Sequence, residues 1–394
     1  MQTNENKITY LIKFAELALK GGNRDGFIAV LKRNLVEMLR GTRAHLDVTQ
    51  GRFYVHCTEE NAPAVEDVLC RLIGISGWAK TRTCGKTVGE VLAACVEEGL
   101  ALREKGIATF KIEARRTDKS FPVNSYVLCC EGGGAVLDAV PGLSVDVKNP
   151  QGIIEIEIRE RSYIYGNTQK GLGGLPVGTA GRGLLLLSGG IDSPVAGHMM
   201  ATRGMGIDAV YFHAYPYTSE EARQKVLRLA EIVGRYTMGM RICTVSFTKI
   251  QQRIKENSPL PWSTVLLRMA MMEAAERLAR RLKCKCLITG ESLSQVASQT
   301  IENITCTQSR LRLPVMRPLI GIDKDSIIRR AEKIGTYETS ILPYQDCCVL
   351  FSPPHPVLRG EVKEAGTFYE ALELEELITE ALRESITEKR GFPG

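Results

Sequence analysis

The chain has 394 residues, 44% of them apolar and 24% charged, with a formal net charge of +6. That balance excludes a disordered or collagen-like polymer, and the length exceeds one ordinary domain, so two or three domains are expected. No apolar run approaches the roughly 20 residues a membrane helix needs, and the opening MQTNENKITYLIKF lacks the basic-then-apolar layout of a secretory signal. A cytoplasmic protein with no membrane partner is the expectation.

Twelve cysteines is a high count for that compartment. A disulfide framework is not expected in a large reduced chain, and the absence of any Cys-x-x-Cys pair argues against structural zinc or an iron–sulfur centre. Most of these thiols read as small buried apolar side chains. Two basic clusters stand out, Arg115-Arg116 with Lys119, and Arg277 to Lys285. Each reads equally as a solvated face or a phosphate-contact stripe.

KITYLIKF (7–14) alternates as a half-buried strand should, and Asp25–Met38 carries apolar residues at helical spacing. Arg52–Cys57 is a second strand, so residues 1–58 form a small α+β unit. Helices are expected over 64–73 and 88–105, and strands over 108–114, 145–147 and 153–159, where IIEIEIRE alternates strictly. Residues 59–168 therefore form a second α+β module. The glycine-rich stretch 169–180 reads as a linker. From Gly183 the pattern changes to strand and helix in alternation: strands at GLLLL, IDAVYFHAY, RICTVSF and CLITG, helices over 194–203, 219–235, 264–281, 294–302 and 324–334. Residues 181–394 are thus expected to be α/β, a doubly wound parallel sheet, with ligands at the carboxyl ends of its strands.

One such end carries Ser188-Gly189-Gly190-Ile191-Asp192-Ser193, between LLLL and a helix opening at Pro194. A glycine turn running into a helix N-terminus presents free N–H groups and suits phosphate. A kinase-like or GTPase-like loop would place a lysine there, and none is present.

SGGIDS resembles the loop of the PP-loop ATP pyrophosphatases, Rossmann-like enzymes that split ATP between its α and β phosphates. The resemblance implies that the turn holds pyrophosphate and that Asp192 helps hold Mg²⁺ on it. The wider chain is similar to the tRNA 4-thiouridine synthetases, or tRNA sulfurtransferases. The similarity rests on FAELALKGGNR (with Ala15 where glycine is more usual), FKIEARRTDKSFPVNS, GLGGLPVGTAGRGLLLLSGGIDSPVAGHMM, ITGESLSQVASQT, RPLIGIDKDSI and SILPYQDCC. The first resembles that family's ferredoxin-like motif, the second its THUMP RNA-binding module.

The resemblance implies ATP-dependent replacement of a tRNA uridine O4 by sulfur, at position 8, with ATP and Mg²⁺ as cofactors. Cys347 then carries the sulfur as a persulfide, with Cys348 the lesser candidate, and Lys324 takes part in activation. Leu186, Leu187, Tyr211, Phe212, Arg268, Gly290 and Gln299 surround ATP with Ser188, Gly189, Gly190, Asp192 and Ser193. Arg268 sits on an otherwise apolar helix face, where a charge needs a partner, and phosphate is a suitable one. Arg115, Arg116 and Lys119 contact tRNA phosphates. The implied partners are tRNA, a cysteine desulfurase, a sulfur carrier protein of the thiamine pathway and a second copy of the chain. The family's longer members add a rhodanese-like domain for which this chain has no room. His198 and His213 read as structural. Two alternatives stay open, an amide-forming ATP pyrophosphatase and a tRNA-binding sulfur carrier without thiolation.

Overall fold

The structure, a computed structural model, describes residues 7–15, 23–49, 52–344 and 353–392. They pack as two compact units, one built on Leu35–Gly174 with the segment up to Arg24, the other on Leu175–Gly394 with Asp25–Asn34. Up to Lys170 the chain runs β1 (Lys7–Phe14), α1 (Arg24–Met38), β2 (His45–Thr49), β3 (Arg52–Thr58), α2 (Ala62–Arg71), β4 (Ile75–Cys84), α3 (Val88–Glu104), β5 (Thr109–Arg116), α4 (Ser125–Ala139), β6 (Ser144–Val145), β7 (Gly152–Ile158), β8 (Ser162–Tyr165) and β9 (Gln169–Lys170), all in the first unit except the Asp25–Asn34 part of α1.

Its sheet follows the order β2-β3-β1-β4-β8-β7-β5-β6, with β9 added on β4. The ten-residue β4 lies antiparallel to β1 from Ile75 to Thr81, then to β8 from Arg82 to Cys84. One strand therefore carries the sheet through both α+β modules. β4 and α4 are not evident from sequence pattern, and both owe this to glycine. A Cβ on Gly77 would lie 2.6 Å from the Gln169 carbonyl oxygen, so the glycine admits β9. α4 contains Gly132-Gly133-Gly134, each about 1 kcal/mol worse than alanine in a helix. The compensation is close packing: a Cβ on Gly132 would meet Ile112 at 2.9 Å. On the facing helix α3, a Cβ on Gly99 would meet Val136 at 2.7 Å.

The second unit runs β10 (Arg182–Leu186), α5 (Asp192–Thr202), β11 (Gly206–His213), α6 (Glu220–Tyr236), β12 (Met240–Ser246), α7 (Thr248–Asn257), α8 (Ser263–Arg281), β13 (Cys286–Ile288), α9 (Ile301–Gln308), β14 (Val315–Met316), α10 (Lys324–Lys333), α11 (Tyr337–Ser340), α12 (Val362–Ala371), α13 (Glu375–Arg383) and β15 (Ile386–Arg390). The order is β14-β13-β10-β11-β12-β15, parallel except for the antiparallel edge strand β15. All eight residues of β11 are buried, as a central strand covered on both faces requires. From β10 the chain fills one side of the sheet, then crosses back to place β13 on the other side. The crevice outside the carboxyl ends of β10 and β13 is the switch point at which such sheets bind ligands.

One expectation is corrected here. Residues 294–302 do not form one helix. Ser294 has φ +59°, a single 3-10 turn spans Ala297–Gln299, and α9 starts afresh under a cap in which Thr300 accepts from the Asn303 N–H. In the basic run 277–285, Lys283 and Lys285 are exposed while the arginines are paired within the chain. Arg277 binds Glu273 and Glu375, Arg280 binds Glu276, and Arg281 donates to the Leu382 carbonyl and Ser385, tying α8 to the C-terminal helix α13.

Candidate nucleotide site

The turn after β10 is closed by its two serines. The Ser188 N–H donates to Ser193 Oγ at 2.9 Å, the two hydroxyls lie 3.0 Å apart, and the Gly190 N–H points to Ser188 Oγ at 3.3 Å. The polypeptide thereby wraps a concave backbone at the N-terminus of α5, where anions are favoured. Gly290, at the end of β13, packs directly against it: a Cβ there would fall 2.7 Å from Ser193 N and 2.9 Å from Asp192 C. Only glycine lets the segment after β13 approach the start of α5 so closely.

Between them lies a cavity of about 250 Å³ lined by Leu186, Leu187, Ser188, Gly190, Asp192, Ser193, Tyr211, Phe212, Arg268, Gly290 and Gln299. Gly189 belongs to the same turn. The residues proposed from sequence for the nucleotide are thus brought together at one switch point. Sequence reasoning missed Met271, Met272, Thr289 and Glu291 on the same wall. Met271 lies one helical turn from Arg268, and Thr289 and Glu291 flank Gly290 just beyond β13, so helical spacing and the strand-end rule were the available signals.

Arg268 finds its partner in Glu291, whose carboxylate also takes Arg317 at 2.7 Å and the Thr289 hydroxyl at 2.8 Å. Burial pushes the Glu291 carboxyl up, but the Arg268 and Arg317 guanidiniums outweigh it and hold it below the usual carboxylate range. Arg268 Nε and Arg317 Nη2 remain buried without a hydrogen-bond partner. The trio leaves one net positive charge at a cavity sized for a small anion-bearing ligand.

Asp192 occupies the first turn of α5 and receives Lys324 Nζ at 2.6 Å on one oxygen and Gln295 Nε2 at 2.9 Å on the other. Lys324 opens α10, whose N-cap Asp323 accepts from the Ser326 N–H at 2.8 Å. A cation at a helix start is unfavourable alone, and the Asp192 carboxylate answers it. No cluster of three or more metal-ligating side chains exists among the described residues. Asp192 offers a single carboxylate, which suits Mg²⁺ only if phosphates and water supply the other oxygens.

His198 is buried on α5 beside Tyr236, and burial lowers its pKa to about 4. It is a neutral packing residue, but not a satisfied one, since its Nε2 is buried without a hydrogen-bond partner. Cys347 and Cys348 lie outside the described residues. In the first unit, Arg115 and Lys119 are exposed, whereas Arg116 donates to the Phe121 carbonyl at 2.9 Å and holds the loop it was expected to arm.

Residues 178–374 match the family model described as thiamine biosynthesis protein (ThiI), 9–79 the ThiI ferredoxin-like domain, and 90–166 the THUMP domain. A probable tRNA sulfurtransferase of Treponema pallidum is 51% identical over 379 residues, 95% of this chain and 94% of that protein. A probable tRNA sulfurtransferase of Caldanaerobacter subterraneus is 43% identical, covering 94% and 97%. Among solved structures, a 4-thiouridine synthetase in complex with RNA and bound ATP superposes with a TM-score of 0.89 at 35% identity, covering 97% of this chain and 99% of that one.

Proposed function

The chain belongs to the tRNA sulfurtransferase family, and from that premise we propose that its second unit adenylates a tRNA uridine at O4 and exchanges that oxygen for sulfur. The observation that carries this reading is the closed Ser188–Ser193 turn at the sheet's switch point, with Asp192 and Lys324 paired at its rim. ATP enters the cavity with its adenine against the ends of β10 and β11. The turn's N–H groups and the surplus charge of Arg268 and Arg317 hold the phosphates. Asp192 would hold Mg²⁺ through one carboxylate oxygen, and the ion would supply positive charge for the departing pyrophosphate. Lys324, released from Asp192, is then free to stabilise charge on the α-phosphate.

Uridine O4 attacks the α-phosphorus, the bond to the β-phosphate breaks, and N3 loses its proton. The terminal sulfur of a Cys347 persulfide attacks C4, and AMP leaves with the original oxygen. A second thiol, Cys348 or another, then attacks Cys347 Sγ. This breaks the S–S bond, frees the thiocarbonyl as N3 takes back a proton, and leaves a disulfide for an external thiol to reduce. The persulfide comes from a cysteine desulfurase, and the same sulfur can serve a thiamine-pathway carrier protein. Arg115 and Lys119 steer tRNA phosphates, with position 8 the target.

We place the working boundaries at 58/59, 168/169 and 180/181 and read the enzyme as a cytoplasmic homodimer. No described helix is long and apolar enough to cross a membrane.

The test is nucleotide turnover with unmodified tRNA. AMP and pyrophosphate should form only when tRNA is present. ADP as product, or AMP formation that follows ammonia rather than tRNA, would reject the reading, the latter in favour of an amide-forming enzyme.

A further inference from the structure

β11 leads beyond the nucleotide cavity as a row of rings. Tyr211 and His213 share one face of β11 at alternate positions, and Tyr215 follows in the turn beyond it. Tyr211 lines the cavity, its ring centroid lies 5.8 Å from that of His213, and His213 stacks on Tyr215 at 6.3 Å and 30°. His213 is buried, but Tyr215 is 66% exposed and Tyr217 51% exposed. Their backbone is well held. Thr218 accepts from the Ala214 N–H and donates its own N–H to the Ala214 carbonyl, each at 3.0 Å, and the Thr248 hydroxyl donates to the Tyr215 carbonyl at 2.7 Å. Two large rings are thus presented to solvent on a pinned loop.

That loop feeds directly into α6, capped by Ser219. Buried Lys225 on α6 donates to the carbonyls of Leu342 at 2.8 Å and Tyr344 at 3.4 Å, while Ser340 Oγ donates to the Gly190 carbonyl at 3.4 Å. The chain leading towards Cys347 is therefore anchored at one end on the phosphate turn and at the other on the helix that follows the two tyrosines. One end of the aromatic row is the nucleotide wall, and its other end adjoins the helix holding the sulfur-bearing chain.

We propose that Tyr215 and Tyr217 form the platform on which the target uracil lies, unstacked from its RNA, while O4 reacts. An enzyme acting on a base in folded RNA must take that base out of its stack, and an aromatic face replaces the lost stacking without reading sequence. The occupant is a pyrimidine base because the platform is an extension of the wall that holds the nucleotide it must meet. This inference rests on the thiolation reading.

The experiment compares wild type with Tyr215→Ala, Tyr217→Ala and the corresponding Phe variants, measuring thiouridine formation by nucleoside mass spectrometry and ATP binding by titration. Each Ala variant should lose about 10-fold or more in kcat/KM for tRNA, by the usual worth of base–aromatic stacking, with ATP affinity retained. Each Phe variant should recover most of the loss. Thiolated tRNA, whose thiocarbonyl is itself photoreactive, should crosslink within residues 206–223. Ala variants equal to wild type, a matching loss of ATP binding, or a crosslink elsewhere would overturn the platform. Wild type that thiolates no tRNA with an active sulfur donor would instead overturn the thiolation reading, and the platform with it.

Discussion

Glu291 carries one carboxylate between two guanidiniums, so removing its charge leaves Arg268 and Arg317 facing each other across a buried wall. Glu291→Gln should destabilise the second unit by about 3–5 kcal/mol, the usual effect of breaking a buried ion pair from one side. Thermal unfolding checks this. The carboxyl is held below its ordinary value, so its stabilising contribution is complete above about pH 4.5 and fades as pH falls through the lowered value. Glu291→Gln should abolish that component of acid sensitivity. Gly290→Ala places a Cβ against the Ser193 amide, and the turn must shift to admit it. We expect at least a 10-fold loss of ATP affinity by titration, with about 1–3 kcal/mol lost in stability from overpacking. At this scale the sequence was uneven. Arg268 was legible because a charge on an apolar helix face demands a partner. That the partner is Glu291 was not, since 23 residues separate them and only the adjacency of α8 and β13 brings them together.

Among elements, the turn between β10 and α5 was legible because four leucines, small residues and a following proline each point the same way. β15 was not. ITEKR is polar and mostly exposed, and it is a strand only because the edge of β12 offers it a ladder. α4 was masked by its three glycines, of which Gly132 makes a close approach that no periodicity reveals. α5 itself carries a pH prediction. His198 has an ordinary value of 6.5 and a folded value of about 4, so the unfolded chain binds the proton more readily between them. Stability due to this group is complete above pH 6.5 and lost progressively down to pH 4, at about 1.4 kcal/mol per unit. His198→Phe should flatten the stability–pH curve in that window, measured by denaturant unfolding. An unchanged slope would place the titration elsewhere.

For the whole molecule, the length pointed to two or three domains, and the strand–helix alternation after Gly183 foretold the parallel sheet. The continuous sheet of the first unit was hidden because β4 contributes to both modules. If Arg115 and Lys119 each neutralise one tRNA phosphate, the double substitution to Ala should weaken tRNA binding uniformly across sequences. It should also reduce the slope of log affinity against log salt by about 2, measured by titration at several salt concentrations.

The central claim is that this chain makes thiouridine through an adenylated O4 and a Cys347 persulfide. Nucleoside mass spectrometry of unmodified tRNA incubated with the protein, ATP, Mg²⁺, cysteine and a desulfurase tests it most directly, with Cys347→Ser alongside. Thiouridine from wild type and none from the variant is the predicted result. Equal thiouridine from both would contradict Cys347 as the sulfur carrier, and none from either, with the desulfurase active, would contradict the account as a whole.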